Sequence, residues 1–343
     1  MIRTLAAFAL AGLVAAAPAA DAITVYMYSE YIDPAISAQF TAATGIPVRI
    51  DTYEGQDEML AKLQTGGAAV YDVVVASDVI VPALIRLKLV RALDRSAIPN
   101  ATNVDPAFRD PAYDRGNAHT WPYQWGTVGL LYRTDKVTGP ISWGLLFDAA
   151  RQPGGFVLMD EMRTTLAVAQ LFRGGDVNTR QPAEIKAAGE LVLAAKRSDT
   201  CLGFDGGVGG MNKVLAGEAA VAMVYNGDAV KNLPADGSCA FAIPSEGSCI
   251  WVDVMAVSAQ APNPAGAHAF INYILDAKVG AQLSNFVHYA SPNAAAKPLL
   301  VKADLDNPAI YPAPAVMATL KYQTDVGEAA AVYDEVWTAV KAQ

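Results

Sequence analysis

The chain has 343 residues, which suggests two domains, and its 53% hydrophobic composition is ample for two cores. Lysine and arginine number 25 against 34 aspartates and glutamates, a net charge of −9, which argues against nucleic acid or an anionic membrane as the partner. Residues 1–22 read as a secretory signal peptide, with Arg3 as the positive start, Leu5 to Ala17 as the apolar stretch and Ala20-Asp21-Ala22 as a small-x-small cleavage site. Ala17-Pro18-Ala19 is a second candidate site. No cysteine follows to carry a lipid, and the apolar run is too short to span a bilayer comfortably.

Strands and helices then alternate. Ile23 to Tyr28 reads as a strand, and Pro34 to Thr44 as a helix with proline in its first turn and Gly45 as its stop. Pro47 to Tyr53 is a strand, Asp57 to Thr65 a helix, Asp72 to Ala76 a short buried strand and Val79 to Leu87 a helix. This β-α-β-α-β-α opening predicts a parallel sheet. After a loop from about Ser96 to Gly116, Trp121 to Arg133 reads as a strand that crosses to a second α/β unit. That unit holds a strand at Phe156 to Met159, helices at Glu161 to Phe172 and Ala183 to Arg197, and strands at Ala220 to Tyr225, Phe241 to Ile243 and Ile250 to Ser258. Pro264 to Phe286 reads as one long helix, and Val326 to Lys341 as a last one.

Three clusters pair an aromatic ring with a carboxylate: Tyr28-Ser29-Glu30-Tyr31, Tyr225-Asn226-Gly227-Asp228 and Trp251-Val252-Asp253. Each sits where a predicted strand ends. Open α/β sheets bind ligands beyond their strand ends. Rings accept methylene groups and attract ammonium through their faces, and carboxylates pair with charged ends, so the clusters suit a slender organic cation. The chain crosses between its two units more than once, which makes a hinge rather than a tether.

Other chemistry finds little support. Phe204 to Gly210 is rich in glycine but lacks the Gly-Lys-Ser/Thr ending of a phosphate loop, and reads as a turn. Asp160 reads as a helix cap and Glu161 as a residue favoured in a first helical turn. No nucleophile elbow is present around Ser77 or elsewhere. His119, His268 and His288 are scattered, and Cys201, Cys239 and Cys249 lack metal-ligand spacing. In an oxidising compartment, a Cys239–Cys249 disulfide with Cys201 free is expected, and Cys201–Cys239 is the alternative.

The residues resemble a known family, the periplasmic spermidine/putrescine-binding proteins of ABC transporters. The resemblance is carried, in order, by Tyr28 to Tyr31, Phe40 to Val48, Tyr71 to Ser77, Pro122 to Gly126, Tyr225 to Asp228, Trp251 to Asp253 and Tyr289 to Asn293. It implies an α/β, two-lobed periplasmic-binding-protein fold, each lobe a mixed sheet flanked by helices, with the ligand cleft at the hinge. The expected division is 23–127 plus 253–298 for lobe 1 and 128–252 plus 299–343 for lobe 2. The ligand set implied by the resemblance is Tyr28, Ser29, Glu30, Tyr31, Ser77, Glu161, Tyr225, Asp228, Trp251, Asp253, Tyr289 and Gln323.

Two positions bear on the choice of ligand. Thr164 stands where many members of the family place a second acid, and Asp228 matches an acid seen in putrescine binders. Asp78 either restores the missing charge or caps a helix. The resemblance therefore implies a non-enzymatic receptor for a polyamine, with a putrescine-like diamine favoured over spermidine. It implies no cofactor and no metal, a periplasmic location, a monomer, and the permease subunits of an ABC transporter as partner. The alternatives are a receptor for an amino acid, another amine or ferric iron, and a secreted hydrolase.

Overall fold

The computed structural model describes residues 22–342. The expected signal peptide falls almost wholly outside them. The first half builds β1 (Ile23–Tyr28), α1 (Pro34–Thr44), β2 (Val48–Tyr53), α2 (Gln56–Gln64), β3 (Val73–Ser77) and α3 (Val81–Arg86). Asp33 caps α1 by accepting from the Ala35 amide at 2.9 Å, and Gly45 ends it at φ 75°, a conformation that costs glycine little. After a loop of short 3₁₀ turns comes β4 (Thr120–Arg133).

The second unit holds α4 (Gly144–Phe147), β5 (Phe156–Met159), α5 (Met162–Phe172), α6 (Pro182–Lys196), β6 (Cys201–Asp205), α7 (Gly207–Leu215), β7 (Val221–Tyr225), α8 (Asn226–Asn232) and β8 (Cys239–Ala242). The chain returns through β9 (Cys249–Val257), α9 (Pro264–Ile274) and α10 (Ala277–Val287). It finishes with α11 (Lys302–Leu305), α12 (Pro314–Met317), β10 (Lys321–Tyr322) and α13 (Ala330–Ala342).

Among the described residues the strands form one ten-stranded sheet in the order β2-β1-β3-β9-β4-β7-β5-β6, with β10 on β9 and β8 on β4. Its two ends are parallel, as the alternating pattern predicts: β1 pairs β2 and β3, and β5 pairs β6 and β7. The antiparallel pairings lie in the middle. β9 runs against β3 and against residues 120–127 of β4, and residues 128–132 of β4 run against β7. The long strand at 120–133 thus belongs to both halves.

Each half buries its own core. In the first, Val25, Phe40, Val73, Phe270 and Leu283 pack on one face of the sheet, and Tyr26, Tyr53, Met59 and Tyr71 on the other. In the second, Trp143, Phe156, Leu166, Val192 and Tyr333 pack on one face, and Leu131, Val157, Met211 and Val214 on the other. A smaller cluster of Val81, Trp125, Ile250, Val252 and Ile310 sits between them.

The structure corrects four local readings. The helix expected over Pro264 to Phe286 is two helices, because Asp276 caps a new start by accepting from the Lys278 and Val279 amides. The Gly-rich turn at Phe204 to Gly210 is instead the end of β6 and the start of α7. Asp160 does not cap α5; it pairs with Lys341 at 2.8 Å, and Glu161 occupies the cap position without a capping hydrogen bond.

The fourth is the disulfide: Cys201, Cys239 and Cys249 are all free thiols. Cys239 and Cys249 do not flank a hairpin. β8 and β9 run in the same direction along one side of β4, with Cys239 opposite Arg133 and Ile250 opposite Thr127. That offset puts the two cysteines about 16 Å apart along β4, whereas a disulfide needs Cα atoms within roughly 7 Å.

Candidate functional site

The ring-and-acid clusters meet at one place, although only two lie at strand ends: Trp251 to Asp253 are inside β9, not at its end as the sequence suggests. Tyr28 ends β1 beside its parallel partner Tyr53 at the end of β2. Ser77 ends β3 opposite Asp253 of β9. Trp251 faces Gly126 of β4, and Tyr225 ends β7 opposite Val128. Tyr289 is brought in by a short antiparallel bridge, in which Trp125 and Ala290 exchange backbone hydrogen bonds of 3.0 and 3.1 Å.

These rings form an unbroken series. Tyr53 and Tyr28 have centroids 4.5 Å apart, Tyr28 and Tyr31 6.0 Å, Tyr31 and Tyr289 5.7 Å, Tyr289 and Trp251 5.1 Å, and Trp251 and Tyr225 5.9 Å. Most meet edge to face, the arrangement favoured by the ring quadrupole. Tyr123 extends the series behind Tyr31 at 5.2 Å, and its hydroxyl donates to the Tyr31 carbonyl at 2.7 Å.

Two glycines make the close approach possible. A Cβ at Gly126 would lie 2.5 Å from the Trp251 indole, and one at Gly227 would lie 2.5 Å from the Tyr289 ring. Asn226 fixes the start of α8 between them: its carbonyl oxygen accepts from the Thr127 amide at 2.9 Å, and its amide donates to the Ala309 carbonyl at 2.9 Å.

The carboxylates stand among these rings. Asp253 is 6% exposed. Burial pushes its pKa up to about 7, with the Tyr31 hydroxyl acting against that rise and Asp78 adding to it. The Trp251 indole nitrogen is buried and closes no hydrogen bond among the described residues. Glu161 is half-buried at the start of α5. Burial again raises its pKa to about 7, helped by Asp57 at the start of α2 and by Asp160. Asp228 is raised by burial, while Tyr289 and Lys231 pull it down.

Asp78 is neither a free cleft acid nor a simple cap. It is 3% exposed in a 3₁₀ turn, with the Ser77 hydroxyl 3.1 Å from its carboxylate. Burial raises it to about 7, while Ser77 and the Val252 and Val79 amides act against that rise.

Three expected site residues have other partners. Ser29 is exposed and donates to Glu54 at 2.7 Å. Glu30 is 88% exposed, in a left-handed turn conformation at φ 53°, and faces Lys231. Gln323 is half-buried and donates to the Cys249 sulfur at 3.8 Å. Thr164 is buried on α5. The sequence reading missed Tyr53 and Tyr123. Tyr53 became findable only once β1 and β2 were paired in register, which sets it beside Tyr28.

Comparison with known proteins agrees with this geometry. The family model for bacterial extracellular solute-binding proteins matches residues 35–313. The spermidine/putrescine-binding periplasmic protein 1 of Haemophilus influenzae is 32% identical, with 96% of this chain and 91% of that protein covered. The putrescine-binding periplasmic protein SpuD of Pseudomonas aeruginosa is also 32% identical, over 99% and 98%. Among solved structures, the spermidine/putrescine ABC transporter substrate-binding protein PotD of Streptococcus pneumoniae, in complex with calcium and HEPES, superposes with a TM-score of 0.80. It is 25% identical, over 94% of this chain and 99% of that one. The fold is the two-lobed one of periplasmic binding proteins, and the chain belongs to the bacterial extracellular solute-binding protein family, whose members bind solutes and are not enzymes.

Proposed function

We propose that this protein is the receptor of an ABC importer and captures a protonated polyamine in the cleft between its lobes. One observation carries the reading: a desolvated carboxylate, Asp253, stands within a continuous series of aromatic rings. A buried acid without a protein cation is costly when charged, and a ligand ammonium removes that cost. Tyr28, Tyr31, Trp251, Tyr225 and Tyr289 take the methylene chain and the ammonium faces, and Glu161 and Asp228 take further charge. Ser29, Glu30, Ser77 and Gln323 complete the rim and floor. The names of the Haemophilus and Pseudomonas relatives, which bind spermidine or putrescine, support the amine class.

Lobe 1 is residues 23–127 with 253–298, and lobe 2 is residues 128–252 with 299–343. A ligand that touches both stabilises the closed arrangement and shifts the population toward it, which the membrane permease reads. The mature protein acts in the periplasm as a monomer after its signal peptide is cleaved. Thermal shift of ligand-free protein decides the class. Putrescine, cadaverine, spermidine or spermine raises the melting temperature and neutral sugars do not; no shift with any amine at millimolar concentration rejects the reading.

Within the amines, a diamine is favoured over spermidine. Asp228 offers an acid for a second ammonium, and Thr164 withholds one that a third would need. Asp228→Asn then weakens diamine binding strongly, and Thr164→Glu improves spermidine binding. Calorimetry showing a tenfold preference of the wild type for spermidine, with diamine binding unaffected in Asp228→Asn, overturns the preference.

A further inference from the structure

Lys231 lies in the last turn of α8, and its ammonium reaches across to the other half of the molecule. It is 3.9 Å from a carboxylate oxygen of Glu30, in the turn after β1. It also lies 5.0 Å from the centroid of the Phe286 ring on α10. The lysine side chain is only 32% exposed. Asp228 is three residues earlier on the same helix, the spacing at which side chains meet, and Lys231 draws its pKa down against the effect of burial. One protein ammonium thus faces Glu30 and is held against the Phe286 ring, one helical turn from Asp228.

We infer that Lys231 is a specificity-determining residue: it places a positive charge supplied by the protein beyond Asp228, on the Glu30 side of the cleft, so that a ligand whose second ammonium ends at Asp228 is accepted and a third ammonium is turned away. This rests on the amine reading above. An ammonium that extends past Asp228 toward Glu30 meets a like charge already paired with that glutamate. It enters a closing cleft without a carboxylate of its own, which is costly. A repulsive element of this kind discriminates against the longer ligand without a new contact to the shorter one.

The test is calorimetric titration of putrescine and spermidine into wild type, Lys231→Met and Lys231→Arg. The methionine variant is expected to raise the affinity for spermidine relative to putrescine by about tenfold, and the arginine variant to keep the wild-type ratio. Phe286→Leu, which loosens the hold on the ammonium but keeps its charge, gives an intermediate ratio and serves if Lys231→Met fails to fold. A ratio in Lys231→Met within about twofold of wild type, or an arginine variant that behaves like methionine, overturns the inference while the amine reading stands. Binding of neither amine by wild type overturns both.

Discussion

Trp251–Asp253 and Tyr28–Tyr31 are the same pattern in sequence, a ring and an acid, and the fold treats their acids in opposite ways. Asp253 sits on a central strand with neighbours on both sides, Ser77 and Gln124, and burial raises its pKa to about 7. Glu30 sits on a turn, 88% exposed, and faces a lysine. Water screens the second acid and is kept from the first. What a carboxylate contributes to cation binding depends on that difference more than on its place in a motif.

The largest expected effect is at Asp253. Asp253→Asn keeps the shape and removes the charge, and binding of putrescine is expected to fall by roughly a hundredfold or more, about 3–5 kcal/mol, as when one partner of a desolvated charge pair is lost. Calorimetry reads it, with an unchanged fold by circular dichroism. Next is Gly227→Ala, whose added Cβ meets the Tyr289 ring. Shifting that ring out of the series is expected to cost roughly tenfold in affinity, the order of one aromatic contact.

Lowering the pH sharpens the comparison from another side. Asp253 and Glu161 have folded pKa values of about 7, above the ordinary carboxylate range. In the free protein they therefore favour folding at low pH, and that contribution is lost as pH rises through 7. A cationic ligand needs them ionised. Between pH 8 and pH 6 affinity is expected to drop about tenfold for each group that must ionise, while the melting temperature contributed by these groups in the free protein rises. Titrations in buffers of different protonation enthalpy detect the released protons, and equal apparent enthalpies in all buffers break the argument. The smallest effect is at Glu30: Glu30→Gln is expected to change putrescine affinity by no more than about threefold, as for an exposed pair. A loss equal to that of Asp253→Asn erases the distinction between the two regions.

Much of this was legible in the sequence because it follows from local rules. The β-α alternation predicts the parallel ends of the sheet, and the apolar run at Asp72 to Ala76 predicts a buried strand, found at Val73–Ser77. The convergence of Tyr28, Trp251, Asp253 and Tyr289 followed from the family resemblance. What failed was what depends on register. The cysteine pair required a hairpin, and the chain instead lays β8 and β9 end to end along β4. Tyr53 required the β1–β2 pairing. The break at Asp276 was available locally, as a capping aspartate, but the apolar pattern of both helices masked it.

The continuity of β4 has one more consequence. Its first eight residues are bonded to β9 and its last to β7 and β8, so neither half owns all of its own sheet. A fragment cut at the hinge would expose a long unpaired strand edge and invite aggregation. The two halves should melt together in a single transition, and tandem expression of the separated halves should give insoluble material rather than two domains.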